Sequence, residues 1–110
     1  MKNKLSYKYL ILFTVFVYAN TYSQMVNKGS FFVSENTDVS VYENVSNLNG
    51  ANINNNGNLY LFKNVENFGS FNFDSNKVSG TTLFTGEEVQ TISGNGLYNL
   101  FDVEINNIST

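Results

Sequence analysis

The chain has 110 residues, with six lysines, nine acidic residues and no Cys, Pro, His, Trp or Arg. That inventory excludes disulfide staples, thiol nucleophiles, imidazole bases and zinc sites built from His and Cys. Three of the lysines fall near the N-terminus, so from Gln24 onward three lysines stand against nine acids, a formal charge of −6. So acidic a segment has no electrostatic footprint for nucleic acid or for an anionic membrane surface.

Lys2, Lys4 and Lys8 make a basic start, followed by an apolar run from Tyr9 to Ala19. That run falls short of the roughly 20 apolar residues of a membrane span and fits the apolar centre of a signal peptide. Thr21-Tyr22-Ser23 then supplies small residues at the two positions that a signal peptidase reads, which places cleavage before Gln24. The freed Gln24 amine is able to cyclise to pyroglutamate. With no Cys after the leader, a lipid anchor on the new N-terminus is excluded. The expected organisation is a helical signal peptide over 1–23 and an exported domain over 24–110, with no stable membrane span once the leader is removed.

Beyond the leader, no stretch repeats its apolar residues at i, i+3, i+4; alternation recurs instead, which is the signature of strands. Val39 and Val41 face one way, Ser40 and Tyr42 the other. Leu59-Tyr60-Leu61-Phe62 is apolar on both faces, as in a strand covered on both sides. Phe71 and Phe73 alternate with Asn72 and Asp74, and in 101–106 Phe101, Val103 and Ile105 alternate with Asp102, Glu104 and Asn106. Asn49-Gly50, Asn56-Gly57 and Asn95-Gly96 are turn dipeptides, since both residue types tolerate positive φ. Gly69, Gly80, Gly86 and Gly94 mark further corners.

An internal echo organises these strands. Asn44-Val45-Ser46-Asn47-Leu48 returns twenty residues on as Asn64-Val65-Glu66-Asn67-Phe68. Short units of this size bury their apolar face only by stacking on one another. A weaker copy, Ile105-Asn106-Asn107-Ile108, aligns with Val65 to Phe68, whereas the copy expected near 85–88 does not match. The fold class read from this is all-β, a parallel β-helix or β-solenoid with coils of about 20 residues and about four coils in all. An antiparallel sandwich of hairpins, which the Asn-Gly pairs also suit, is the alternative. In the solenoid, the echoed Asn side chains stack into an amide ladder and Val45 stacks on Val65 inside. The last residues, Ile108-Ser109-Thr110, directly follow an alternating strand, so the domain is expected to be truncated there and to belong to a longer protein.

Phe84-Thr85-Gly86, Gln90-Thr91-Ile92-Ser93-Gly94 and Leu100-Phe101-Asp102-Val103-Glu104-Ile105-Asn106-Asn107 together resemble a repeat of secreted surface proteins from Bacteroidota. That repeat reads F-x-G, Q-x-I-x-G, then an aromatic-rich strand ending L-x-I-N-N. The match is good over residues 84–107 and loose over 44–83. It departs at Asp102 and Val103, where the family more often has Asn and Leu. The resemblance implies long, repetitive, solenoid-like and adhesin-like proteins, many of them carrying a C-terminal sorting domain for type IX secretion, which these residues do not include. The family has no catalytic motif to carry over.

Chemistry is scarce. Asp102 and Glu104 project from one strand face and Glu87-Glu88 falls in a turn, the setting of solvated surface charge. Without a Gly-Gly-x-Gly-x-Asp nonapeptide or a Gly-rich loop opening a helix, the usual calcium-coil and phosphate motifs are missing. Tyr42, Tyr60 and Tyr98 are the candidate glycan contacts, as a stripe for stacking on sugar rings; Phe62, Phe68, Phe71, Phe73, Phe84 and Phe101 read as core. The functional expectation is a non-catalytic structural or adhesive module of an exported cell-surface or secreted protein, without cofactor or metal. Its expected partners are surface glycans or neighbouring solenoid repeats. A carbohydrate-binding module, or a non-catalytic part of a polysaccharide-active β-helix enzyme, is the second expectation.

Overall fold

The structure, a computed structural model, describes residues 23–72 and 79–109. The leader over 1–22, and with it the cleavage reading, lies outside those residues, as do Phe73, Asp74 and Lys77. Twelve short strands and no helix make up the described residues. In order along the sequence they are β1 (Gln24–Asn27), β2 (Ser30–Val33), β3 (Asp38–Val41), β4 (Asn44–Asn47), β5 (Asn52–Asn55), β6 (Asn58–Leu61), β7 (Val65–Asn67), β8 (Ser70–Phe71), β9 (Thr81–Gly86), β10 (Ile92–Ser93), β11 (Leu97–Tyr98) and β12 (Asp102–Asn107).

Each strand pairs with the one three places before it, always in parallel. The first sheet runs β1-β4-β7-β10, the second β2-β5-β8-β11 and the third β3-β6-β9-β12. The fold is therefore a β-solenoid of four three-stranded coils, and the hairpin sandwich is excluded because its strands would pair antiparallel. Asn49-Gly50, Asn56-Gly57 and Asn95-Gly96 turn the corners of a coil instead of the tips of hairpins.

The twenty-residue echo is one complete turn. Val45 pairs with Val65, Ser46 with Glu66 and Asn47 with Asn67, and the coil before extends the series with Met25, Val26 and Asn27. The third copy lies elsewhere than the sequence suggests. Ile92 and Ser93 stack on Val65 and Glu66, whereas Ile105 stacks on Phe84 in the third sheet. Two residues separate β5 from β6, but residues 72–80 separate β8 from β9. That longer corner takes the register from 18 residues between β5 and β8 to 23 between β6 and β9, and the corner before β10 brings it to 27, so the next copy falls seven residues beyond the simple period.

Side chains pointing inward form four apolar columns. Met25, Val45, Val65 and Ile92 stack in the first sheet, and Phe31, Ile53, Phe71 and Tyr98 in the second. Val39, Leu59, Thr82 and Val103 share the third sheet with Val41, Leu61, Phe84 and Ile105. The core is the middle of these columns: Val33, Val45, Ile53, Leu59, Leu61, Val65, Phe71 and Phe84 are all buried. Coil two shows the logic most plainly, with burial alternating residue by residue from Ala51 to Leu61.

Only part of the expected phenylalanine core is core. Phe71 and Phe84 are buried, Phe62 is half-buried on the outer side, and Phe68 and Phe101 are exposed. Phe68 stands in a corner, outside the strand alternation, and Phe101 precedes the last strand. Val103 and Ile105 continue inward columns yet are exposed, because no described coil lies beyond β12. Asn72, expected on the outer face, is buried: it adopts φ of 61° and ends β8 after two residues. Its Oδ1 accepts the Asn55 N–H at 2.7 Å. Asn tolerates this left-handed backbone better than other non-glycine residues because its side chain bonds locally.

Candidate functional site

Polar side chains stack as regularly as the apolar ones, and their arrangement is the most developed chemical feature of the molecule. Asn27, Asn47 and Asn67 end β1, β4 and β7, just where the backbone leaves the first sheet for the second. Asn47 and Asn67 are fully buried and Asn27 nearly so. Asn27 Nδ2 donates to Asn47 Oδ1 at 2.9 Å, and Asn47 Nδ2 to Asn67 Oδ1 at 2.8 Å. Each amide also donates to the backbone of the following coil: Asn27 to Asn52 O, Asn47 to Ser70 O and Asn67 to Leu97 O. The Oδ1 atoms of Asn27 and Asn67 accept the corner N–H groups of Gly29 and Gly69. A buried amide is costly unless it is bonded, and among the described residues no buried side-chain polar atom is left unpaired.

The ladder stops at coil four, where Gly94 follows β10 in place of a fourth Asn. Gly94 has φ of 96°, and a Cβ there would meet the backbone of Asn67. Glycine is required on both counts. This explains one part of the Q-x-I-x-G pattern, and the structure explains the rest. Gln90 Nε2 donates to the Leu61 and Lys63 carbonyls at 2.8 and 2.9 Å, closing the corner between coils two and three, while Ile92 continues the Val65 column. Gln90 Oε1 accepts Asn107 Nδ2 at 2.8 Å, which ties in coil four.

An outer column runs beside these. Asn44 Oδ1 accepts the Asn64 N–H at 3.1 Å, and Asn64 Oδ1 accepts the Thr91 N–H at 2.8 Å. Twenty residues also separate Tyr42 from Phe62, whose rings stack at 4.5 Å with planes 28° apart. Next along, Glu43 meets Lys63 at 3.6 Å, an exposed pair. The echo thus begins at Tyr42, earlier than the sequence match reveals. Aromatic-for-aromatic and opposite-charge replacements preserve the contact while erasing the identity.

The three candidate tyrosines occupy different settings. Tyr42 is 63 % exposed at the corner that follows β3. Tyr60 lies on the outward side of β6, half-buried, opposite Ser40 and Leu83 in the neighbouring coils. Tyr98 sits in the inward column of the second sheet, stacked on Phe71 at 5.8 Å, and burial raises its hydroxyl pKa. Tyr42 and Tyr60 therefore share an outer side of the solenoid, with Phe62 between them in register, and Tyr98 is not part of it. Glu87 and Glu88 line the shallow groove beside Tyr42 and Phe62 together with Lys63 and Gly86.

Asp102 and Glu104 lie on the exposed outer side of β12. Among the described residues no three acidic side chains come close enough to hold a metal ion together, and no helix is long and apolar enough to cross a membrane. The buried polar ladder is what sequence reasoning found; the Gln90 clasp and the Tyr42–Phe62 stack are what it missed. No family model, no curated protein and no solved structure matches the sequence.

Proposed function

We propose that this protein is a non-catalytic structural and adhesive module of an exported cell-surface or secreted repeat protein, similar to the Bacteroidota surface repeats that residues 84–107 resemble. The observation that supports this reading is the unbroken stack of coils with its buried Asn27–Asn47–Asn67 ladder. Such a stack acts as a stiff spacer, because each coil is held to the next by backbone bonds, apolar columns and side-chain amides at once. Its outer sides mix acidic residues such as Glu66, Asp102 and Glu104 with exposed Val26, Phe32 and Tyr42, which suits repeated weak contacts along the length of a surface protein. Export rests on the basic and apolar leader that ends at Ser23.

Limited proteolysis of intact native cells, followed with an antibody to residues 30–60, tests the proposal. Loss of the epitope without cell lysis is expected. An epitope that stays protected until the cytoplasm is released would overturn it.

One observation favours a second reading, carbohydrate binding: the exposed Tyr42 ring stacked on Phe62, with Tyr60 on the same side. Glycan-array binding by residues 24–110 that is lost in Tyr42→Ala and Tyr60→Ala, but kept in Tyr98→Phe, would select this reading. An array without signal would remove it.

A further inference from the structure

We infer that Asn49-Gly50 is a self-modification site, at which the folded protein converts an asparagine amide to a carboxylate, while the other two Asn-Gly pairs are protected by the fold. The chemistry needs only water. The Gly50 backbone nitrogen, losing its proton, attacks Cγ of Asn49; a new bond forms between them, the bond from Cγ to Nδ2 breaks, and ammonia leaves. Water then opens the resulting five-membered imide at either carbonyl, giving aspartate or isoaspartate. The net change is one water consumed and one ammonia released, with no oxidant or catalyst.

Three conditions decide whether the attack occurs in a folded protein. The Asn amide must be accessible, the following N–H must be free of strong partners, and the backbone between them must be able to rotate. Asn49 and Gly50 are both exposed at the corner between β4 and β5. The Ala51 N–H donates to Leu48 O at 2.9 Å and Gly50 has φ of 82°, the pattern of a type II turn with Gly at its third position. Within that turn the Gly50 N–H donates to no partner among the described residues, and nothing lies within 4 Å of where a Gly50 Cβ would stand. Among the described residues, the Ala51-to-Leu48 turn hydrogen bond is the one that resists the rotation.

The other pairs fail these conditions. The Gly57 N–H donates to the buried Asn55 Oδ1 at 3.0 Å, the Asn56 N–H donates to Val33 O at 2.8 Å, and Gly57 is packed against the Ser34 and Thr37 carbonyls. The Gly96 N–H donates to Asn67 O at 2.8 Å, and Gly96 is packed against Gly69 O and the Asn67 amide. The Gly96 nitrogen is committed to the ladder between coils, and the Gly57 nitrogen to a buried amide of its own coil at a corner packed against the coil before. Turning either toward the Asn amide requires breaking that bond and moving the corner off its neighbouring coil.

Purified protein, incubated in mildly alkaline buffer and followed by intact mass and peptide mapping, tests this directly. Conversion at Asn49 is expected at least about tenfold faster than at Asn56 or Asn95, the factor to which about 1.4 kcal/mol of barrier converts. The same incubation in concentrated urea removes the protection, so the three sites should then react at comparable rates. Incubation in water labelled with heavy oxygen should place the label at residue 49. Asn49→Ser, a change at an exposed corner, should leave the folded protein without measurable conversion. Equal rates at the three sites in the folded protein, or an Asn49 that reacts only in urea, would overturn the inference.

Discussion

Asn47 shows how much a single residue does in this fold. Its amide accepts from the coil before, donates to Asn67 in the coil after, and also donates to the carbonyls of Ala51 and Ser70. Asn47→Ala leaves those groups buried with fewer partners and opens a void at a fully buried position. Stability to urea should drop by about 3 kcal/mol. Asn49→Ala, two residues on and exposed, should change it by less than about 0.5 kcal/mol. Tyr98 makes a different prediction. Burial raises its pKa above the ordinary 10.0, so the folded protein holds the phenolic proton to higher pH than the unfolded one does. The stabilisation is fully present below pH about 10 and is lost as pH rises through the folded-state pKa, because the unfolded protein sheds its proton first. Unfolding midpoints measured from about pH 9 to 11 should fall more in the parent protein than in Tyr98→Phe.

At the scale of an element, position in the stack matters more than residue type. Leu61 and Ile105 belong to one inward column and are nearly the same size, yet Leu61 is 2 % exposed and Ile105 77 %. Leu61 lies between Val41 and Phe84, with a strand on either side; β12 has β9 on one side only. Leu61→Ala should therefore cost about 2–5 kcal/mol, and Ile105→Ala less than about 1 kcal/mol, by denaturant titration of each variant. Corners set register in the same way. The corners before β9 and β10 together displace coil four relative to the sequence period, and the parallel ladder re-forms beyond them over the six paired residues of β12. Corner length is thus free to vary while strand stacking is not.

For the whole molecule, stability should be graded along the axis. In coils two and three every strand is paired on both sides; in coils one and four each is paired on one side among the described residues. Solenoid stability is a sum of coil and neighbour-interface contributions, so the coils with two neighbours open last. Hydrogen exchange should find the amides of β4, β5 and β6 the slowest, and those of the two-residue strands β10 and β11 the fastest. Uniform protection across the four coils would mean that the array unfolds as one unit. The Glu43–Lys63 pair adds little to this gradient: it is nearly half exposed, and such pairs contribute about 0–1 kcal/mol.

How far the sequence speaks for itself depends on the range of the interaction being read. Alternation of apolar residues, Asn-Gly corners and the echo of 44–48 in 64–68 were enough to establish an all-β solenoid, the stacking of Val45 on Val65 and the amide ladder. Each of these repeats at a short, regular interval, and a residue that must contact its own equivalent leaves the same letter twice. Tertiary structure alone decided the rest. It moved the third copy from 105–108 to 92–94, because the length of a corner has no periodic signature. It placed Tyr98 inside and Tyr42 outside, because two tyrosines look alike until the register of their strands is known. It left Val103 and Ile105 uncovered despite a faultless alternating pattern, since alternation states which side of a strand is apolar and burial requires a neighbour to cover that side.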